Sequence, residues 1–124
     1  MTMKSKSRES NGVTILDLSG RMTLGEDTLL LRETIRNLIS RDRKMILLNL
    51  GDVPYIDSSG IGELVSAFTT VKKEGGQLKL LNLTRKVRDL LQITKLYTVF
   101  DVHLNKKKAI HSFEKEATPP VFVG

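Results

Sequence analysis

The sequence has no cysteine and no tryptophan, only three prolines, and few aromatic side chains, 5% of its 124 residues. Without cysteine, disulfides and thiolate metal sites are excluded, and a reducing compartment is compatible. With so few aromatic rings there is no stacking platform of the kind that binds single-stranded nucleic acid. No apolar run approaches the roughly 20 residues needed to span a bilayer. The segment Met1 to Arg8 is polar and lacks the apolar stretch of a signal peptide. These absences predict a soluble, cytoplasmic protein with no membrane insertion. Histidine is scarce too: His103 and His111 stand without clustered ligand residues, so neither a metal nor another cofactor is expected.

What is present is ordinary for a globular chain, 40% hydrophobic and 27% charged. The length fits one domain burying roughly two-thirds of its unfolded surface. The net charge is +6 with a pI near 9.7. The basic residues are spread along the chain in short runs, as in solvated faces, so the charge serves solubility or steering. No nucleic-acid partner is expected, whereas an acidic protein surface could use the same charge.

Residues 1–11 are polar and read as a flexible N-terminal segment. Val13 to Leu18, bounded by Gly12 and Ser19-Gly20, reads as a first strand. Thr23 to Glu26 fits a capping box, with Thr23 as N-cap of a helix carrying Leu31, Ile35, Leu38 and Ile39. Met45 to Leu50 is apolar almost without alternation, as in a strand with helices over both faces. A helix over 60–74 follows, stopped by Gly75-Gly76. Gln77 to Leu83 is the next strand, Thr84 the N-cap of a helix through Leu91, and Val99 to Val102 a short last strand. Asn105 caps a final helix, and 117–124 is a tail. Repeated alternation of strand and helix predicts an α/β fold: one layered domain over 12–116, its sheet mainly parallel or mixed with helices packed on it.

The most informative segment is Asp57-Ser58-Ser59-Gly60-Ile61-Gly62. Ile61, Leu64, Val65, Phe68 and Val71 after it recur at the spacing of one buried helix face. The hexapeptide therefore marks the handover from a core strand to a core helix, where open α/β sheets meet ligands and partners. The simplest role for Asp57 and the serines is capping. Three candidates for one cap leave a hydroxyl spare, however, at a helix start that can receive or hold a phosphate. Gly60 and Gly62 lower helix propensity and point to close backbone approach or a tight turn. Enzymatic readings are weaker. Gly60-Ile61-Gly62 lacks the third glycine of a dinucleotide fingerprint, and Ser59 lies in no nucleophile elbow. No nucleophile and base assemble in the sequence, so the chain is not expected to be an enzyme.

Tyr55 to Gly62 resembles the signature of STAS domains, in particular the free-standing bacterial anti-sigma factor antagonists. The similarity continues through Val71 to Leu80 and Leu90 to Leu96, and takes in Met45 to Leu50 and Gly20, roughly residues 10–115. It implies a STAS-like α/β domain acting in transcription regulation, with Ser58 as phosphoacceptor and Ser59 at most a minor site. The implied partners are an anti-sigma factor that is also a serine kinase, and a serine phosphatase that resets the switch. In such partner switching the unphosphorylated form binds the anti-sigma factor and frees the sigma factor, as in stress responses. Partner contact is then expected from Thr23, Asp57, Ser58, Ser59, Gly60, Ile61 and Gly62. One position departs: the family often reads Gly-Glu-x-Asp where this chain has Gly20-Arg21-Met22-Thr23. The alternative is a STAS scaffold subunit of a stress-sensing or lipid-transport complex, with no phospho-switch.

Overall fold

The computed structural model describes residues 3–23 and 25–117. Five strands form one sheet in the order β1-β2-β3-β4-β5: Lys4–Ser10, Val13–Ser19, Met45–Asp52, Gln77–Leu81 and Val102–His103. Four α-helices, Glu26–Ser40 (α1), Ser58–Lys73 (α2), Arg85–Ile93 (α3) and Lys106–Ala117 (α4), follow β2 to β5 in turn. Strands β2 to β5 are parallel and β1 is antiparallel to β2, so the sheet is mixed as expected. Right-handed crossovers that always step the same way along a sheet place their helices on one face. Accordingly, the larger core joins Leu31 and Ile35 of α1, Leu64 and Val71 of α2, and Val87 and Leu91 of α3 to Leu16, Ile46, Leu48, Leu78 and Leu80 of the sheet. On the opposite face α4 is the one helix among the described residues, its Ala109, Ile110 and Phe113 against Val13, Ile15, Leu47 and Leu81. Successive β3 residues thus enter different cores, which is why that strand shows no polar alternation.

The N-terminal expectation is corrected. Lys4–Ser10 is a strand paired along its whole length with β2, and Met3 before it is buried. The hairpin turns on Asn11 and Gly12, at φ 52° and 80°, the two positive dihedrals of a tight two-residue turn. Arg8 also grips Asp17 across the pair, its Nη2 to Oδ1 at 2.9 Å. An alternating run of cations and serines therefore forms a strand because its backbone completes the ladder at the β2 edge.

Thr23 was expected as the N-cap of α1, but that position belongs to Gly25. The chain turns at Gly25, with φ 106°, and α1 starts at Glu26. Thr84 does hold the N-cap position of α3, but its hydroxyl donates to the Val53 carbonyl at 2.8 Å instead of capping. The last strand also begins later than expected. Leu96–Thr98 is a 3₁₀ turn, and Phe100 is buried edge-to-face on Phe68, ring centroids 5.5 Å apart. Asn105 caps α4 as expected, accepting from the Lys108 amide at 3.1 Å. Gly75, at φ 85°, follows α2 in the left-handed conformation of a helix stop. Of the expected tail, Ala117 ends α4 and 118–124 lie outside the described residues.

Candidate functional site

The site lies where β2 and β3 end. Beyond the strands the two chains stay side by side. The Gly20 amide donates to Asp52, the Met22 amide to Tyr55 at 3.0 Å, and the Asp57 amide to Met22 at 3.2 Å. Met22 and Ile56 thereby form an isolated parallel bridge and are both buried. The turn 20–23 is thus fixed against the residues that lead into α2, which brings Thr23, half-buried, to the same edge as the hexapeptide.

Asp57 is the N-cap of α2, its Oδ1 accepting from the Gly60 amide at 2.9 Å. The cap is therefore provided by the carboxylate. Neither serine hydroxyl has a hydrogen-bond partner among the described residues, and Ser58 is exposed where Ser59 is half-buried. The two glycines differ. A Cβ on Gly60 would lie 2.5 Å from both the Met22 carbonyl oxygen and Ile56 Cγ1, whereas one on Gly62 would meet nothing within 4 Å. Gly60 is required by the close crossing of the two turns, and Gly62 leaves the exposed flank of α2 low. Of the expected contact residues, Gly60 and Ile61 are buried beneath the turn, while Asp57, Ser58, Ser59 and Gly62 reach its surface. Deeper in α2, buried Glu63 accepts two 3.0 Å hydrogen bonds from Arg32 of α1, fixing the helix pair behind the site.

Beside Ser58 a groove of about 620 Å³ runs between the turn and α3, with Tyr55, Asp57 and Ser58 on one wall and Lys86, Asp89 and Ile93 on the other. Ile93 stands 77% exposed at its end. The Arg21 guanidinium lies 4.5 Å from the centre of the Tyr55 ring and the Lys86 ammonium 5.7 Å from it. This cationic pair was not legible in sequence, because 21, 55 and 86 meet only through the fold.

A second polar cluster, also missed, lies between the sheet and α4. Buried Lys79 donates to Ser112 Oγ at 2.8 Å, pairs with Asp101 at 3.0 Å and sits 4.9 Å from the Phe113 ring centre. His103 Nε2 is 3.2 Å from Asp101 Oδ2 and 3.4 Å from Ser112 Oγ. Burial pushes the Asp101 carboxyl up, but hydrogen bonds from Lys79 and His103 outweigh it and leave it below its ordinary value. The residue types are those of a hydrolytic triad, but the geometry is not. One imidazole nitrogen serves both neighbours, and the serine hydroxyl donates to the Ala109 carbonyl at 2.6 Å, whereas a relay uses the two ring nitrogens separately. The cluster is a clamp on α4. His103 is half-buried within it. Among the described residues no group of His, Asp and Glu could hold a metal ion, and no helix is long and apolar enough to cross a membrane.

The chain and its fold have counterparts among known proteins. An anti-sigma-B factor antagonist of Bacillus subtilis (strain 168) is 47% identical over 53 residues, 43% of this chain and 49% of that relative. The matched stretch thus spans about half the length of that protein. An anti-sigma F factor antagonist of Paenibacillus polymyxa is 22% identical over 114 residues, 92% of this chain and 97% of the relative. A Thermotoga maritima crystal structure, assigned as an anti-sigma factor antagonist, superposes with a TM-score of 0.81 at 21% identity, covering 89% of this chain and 94% of that one. The family model of the STAS domain matches residues 4–109. On that match, and with its strand-to-helix turn at the edge of a five-stranded mixed sheet, the chain belongs to the STAS domain family.

Proposed function

We propose that the chain is an anti-sigma factor antagonist. It binds an anti-sigma factor that is also a serine kinase, releases the sigma factor held by that protein, and is switched off by phosphate on Ser58. The observation that carries this reading is the division of labour at the start of α2. Asp57 caps the helix, so the exposed Ser58 hydroxyl is not needed by the fold. The names of the two bacterial relatives support it. In the phosphorylation step the γ-phosphoryl group of ATP passes to Ser58 Oγ, the hydroxyl proton leaves and ADP departs; a phosphatase hydrolyses the ester. The role is regulatory, the chemistry being done by the partners. Thr23, Asp57, Ser58, Ser59 and Gly62 form the contact surface, with Gly60 and Ile61 holding the turn from beneath.

The switch works through the surface. A phosphate adds about −1.5 to −2 charge at neutral pH. In water that charge is screened, and its local effects are small against a folding stability of about 5–15 kcal/mol. Desolvated in an interface, an unpaired charge costs about 2–5 kcal/mol, roughly 30-fold to several thousand-fold in dissociation constant. The test is co-purification and calorimetry with the kinase-type anti-sigma factor of the same cell. Ser58→Ala should bind like the native chain and Ser58→Asp far more weakly. Equal affinities for the two variants would refute the switch, and recovery of a transporter ATPase in place of the kinase would refute the partner.

A further inference from the structure

The cations at the Ser58 groove carry a further inference about the same site, one that rests on the phospho-switch reading. Arg21 reaches the Tyr55 ring from the 20–23 turn and Lys86 reaches it from α3. Both residues are exposed, and neither has a carboxylate partner among the described residues. Two positive charges gathered on one ring repel each other, and a ring face offsets only a small part of that when exposed. Among the described residues, two acids that line the groove have partners of their own. Asp57 caps α2, and Asp89 faces Arg85 one helical turn away at 4.0 Å. What this arrangement lacks is an anion with several acceptor oxygens, and Lys86 lines the same groove as Ser58.

We infer that Lys86 and Arg21 form a latch that holds a phosphate on Ser58 within the chain itself. A phosphoserine dianion offers three strong acceptor oxygens to such donors. Once engaged, the two side chains leave the Tyr55 ring and turn toward the groove. Phosphorylation then changes the partner surface twice, by adding negative charge and by withdrawing two exposed cations. An acidic patch on the anti-sigma factor, met by Arg21 and Lys86 in the unmodified form, loses its counterpart as well as meeting the phosphate.

The test installs phosphoserine at position 58 by genetic-code expansion and follows its ³¹P resonance through pH, so no kinase is required. Neighbouring cations favour the dianion, so the second phosphate pKa should lie below the value of about 6 found for free phosphoserine. Lys86→Ala and Arg21→Ala should each raise it by about half a unit, and the double variant should approach an unfolded phosphoserine peptide. High salt should shrink the difference. Identical titrations in all four proteins, matching the peptide, would overturn the latch. That outcome is separable from failure of the underlying reading: flat titrations with weakened partner binding by Ser58→Asp discard the latch alone. Depressed, variant-sensitive titrations with equal binding of Ser58→Ala and Ser58→Asp discard the switch and leave the phosphate site standing.

Discussion

Gly60 and Gly62 stand two residues apart in the first turns of one helix, and replacing each by alanine should move stability in opposite directions. Alanine is favoured over glycine in a helix by about 1 kcal/mol. At Gly62 the new Cβ meets nothing within 4 Å, so the gain should be realised nearly in full, about 0.5–1 kcal/mol. At Gly60 the Cβ falls 2.5 Å from the Met22 carbonyl oxygen. That oxygen already accepts from the Asp57 amide at 3.2 Å, so it cannot retreat without breaking the bridge that fixes the site. Overpacking of this kind costs about 1–3 kcal/mol and occasionally more. The upper end applies because the obstacle is backbone, which leaves a net loss of about 2 kcal/mol after the helical gain. For a domain of this size 1 kcal/mol is worth about 4 °C in Tm. Gly62→Ala should therefore melt about 2–4 °C above the native chain and Gly60→Ala about 8 °C below it, read by circular dichroism and calorimetry. A Gly60→Ala variant melting at or above the native protein would refute the claim that the two turns cross closely enough to exclude a methyl group.

Three other perturbations have defined outcomes. The Arg8 hydrogen bonds hold the Asp17 carboxyl below its ordinary value, so its share of stability is present above the unfolded pKa of about 3.9 and is lost as pH falls below it; Asp17→Asn should flatten the acid limb of a pH-dependent melting curve. Thr84→Val leaves the Val53 carbonyl without its 2.8 Å donor and should cost about 1–3 kcal/mol in urea unfolding, with no change in the helicity of α3 because the hydroxyl does not cap it. Lys79→Ala opens a void beside Phe113 and should cost about 2 kcal/mol or more. Lys79→Met keeps the stem, lets half-exposed Asp101 rehydrate, and should stay within about 1 kcal/mol of the native chain; an equal loss in both variants would show that the ammonium bonds dominate.

The parts of the fold legible in sequence were those set by burial. The unbroken run at β3, the helical spacing after Ile61 and the Gly75-Gly76 stop each report one local requirement, and each appears as expected. Errors arose where tertiary pairing decided. Lys4 to Ser10 has no apolar face, so its strand depends on β2, although Asn11-Gly12 already spelled a hairpin turn. The N-cap of α1 falls at Gly25, two residues beyond Thr23, because the bridge of Met22 to Ile56 keeps the chain extended there. At the site, residue type offered Asp57, Ser58 and Ser59 as three candidates for one cap, and the fold gives it to Asp57. The spare status of Ser58 and the gathering of Arg21, Tyr55 and Lys86 needed the fold, since each depends on which element lies across the turn.

Because α1, α2 and α3 all lie on one face, the other face depends on α4, the last element described. During synthesis the sheet can assemble against three helices while Val13, Ile15, Leu47 and Leu81 still face water. That interval exposes a sticky apolar surface to chaperones and to other nascent chains, and it closes only when Ala109, Ile110 and Phe113 have left the ribosome. The same asymmetry predisposes α4 to open as a separate unit in the mature protein, ahead of global unfolding, with Lys79 and its partners as the fastening. Amide exchange should then be faster along α4 than along α2, and the interval between the two rates measures how firmly the second face is held.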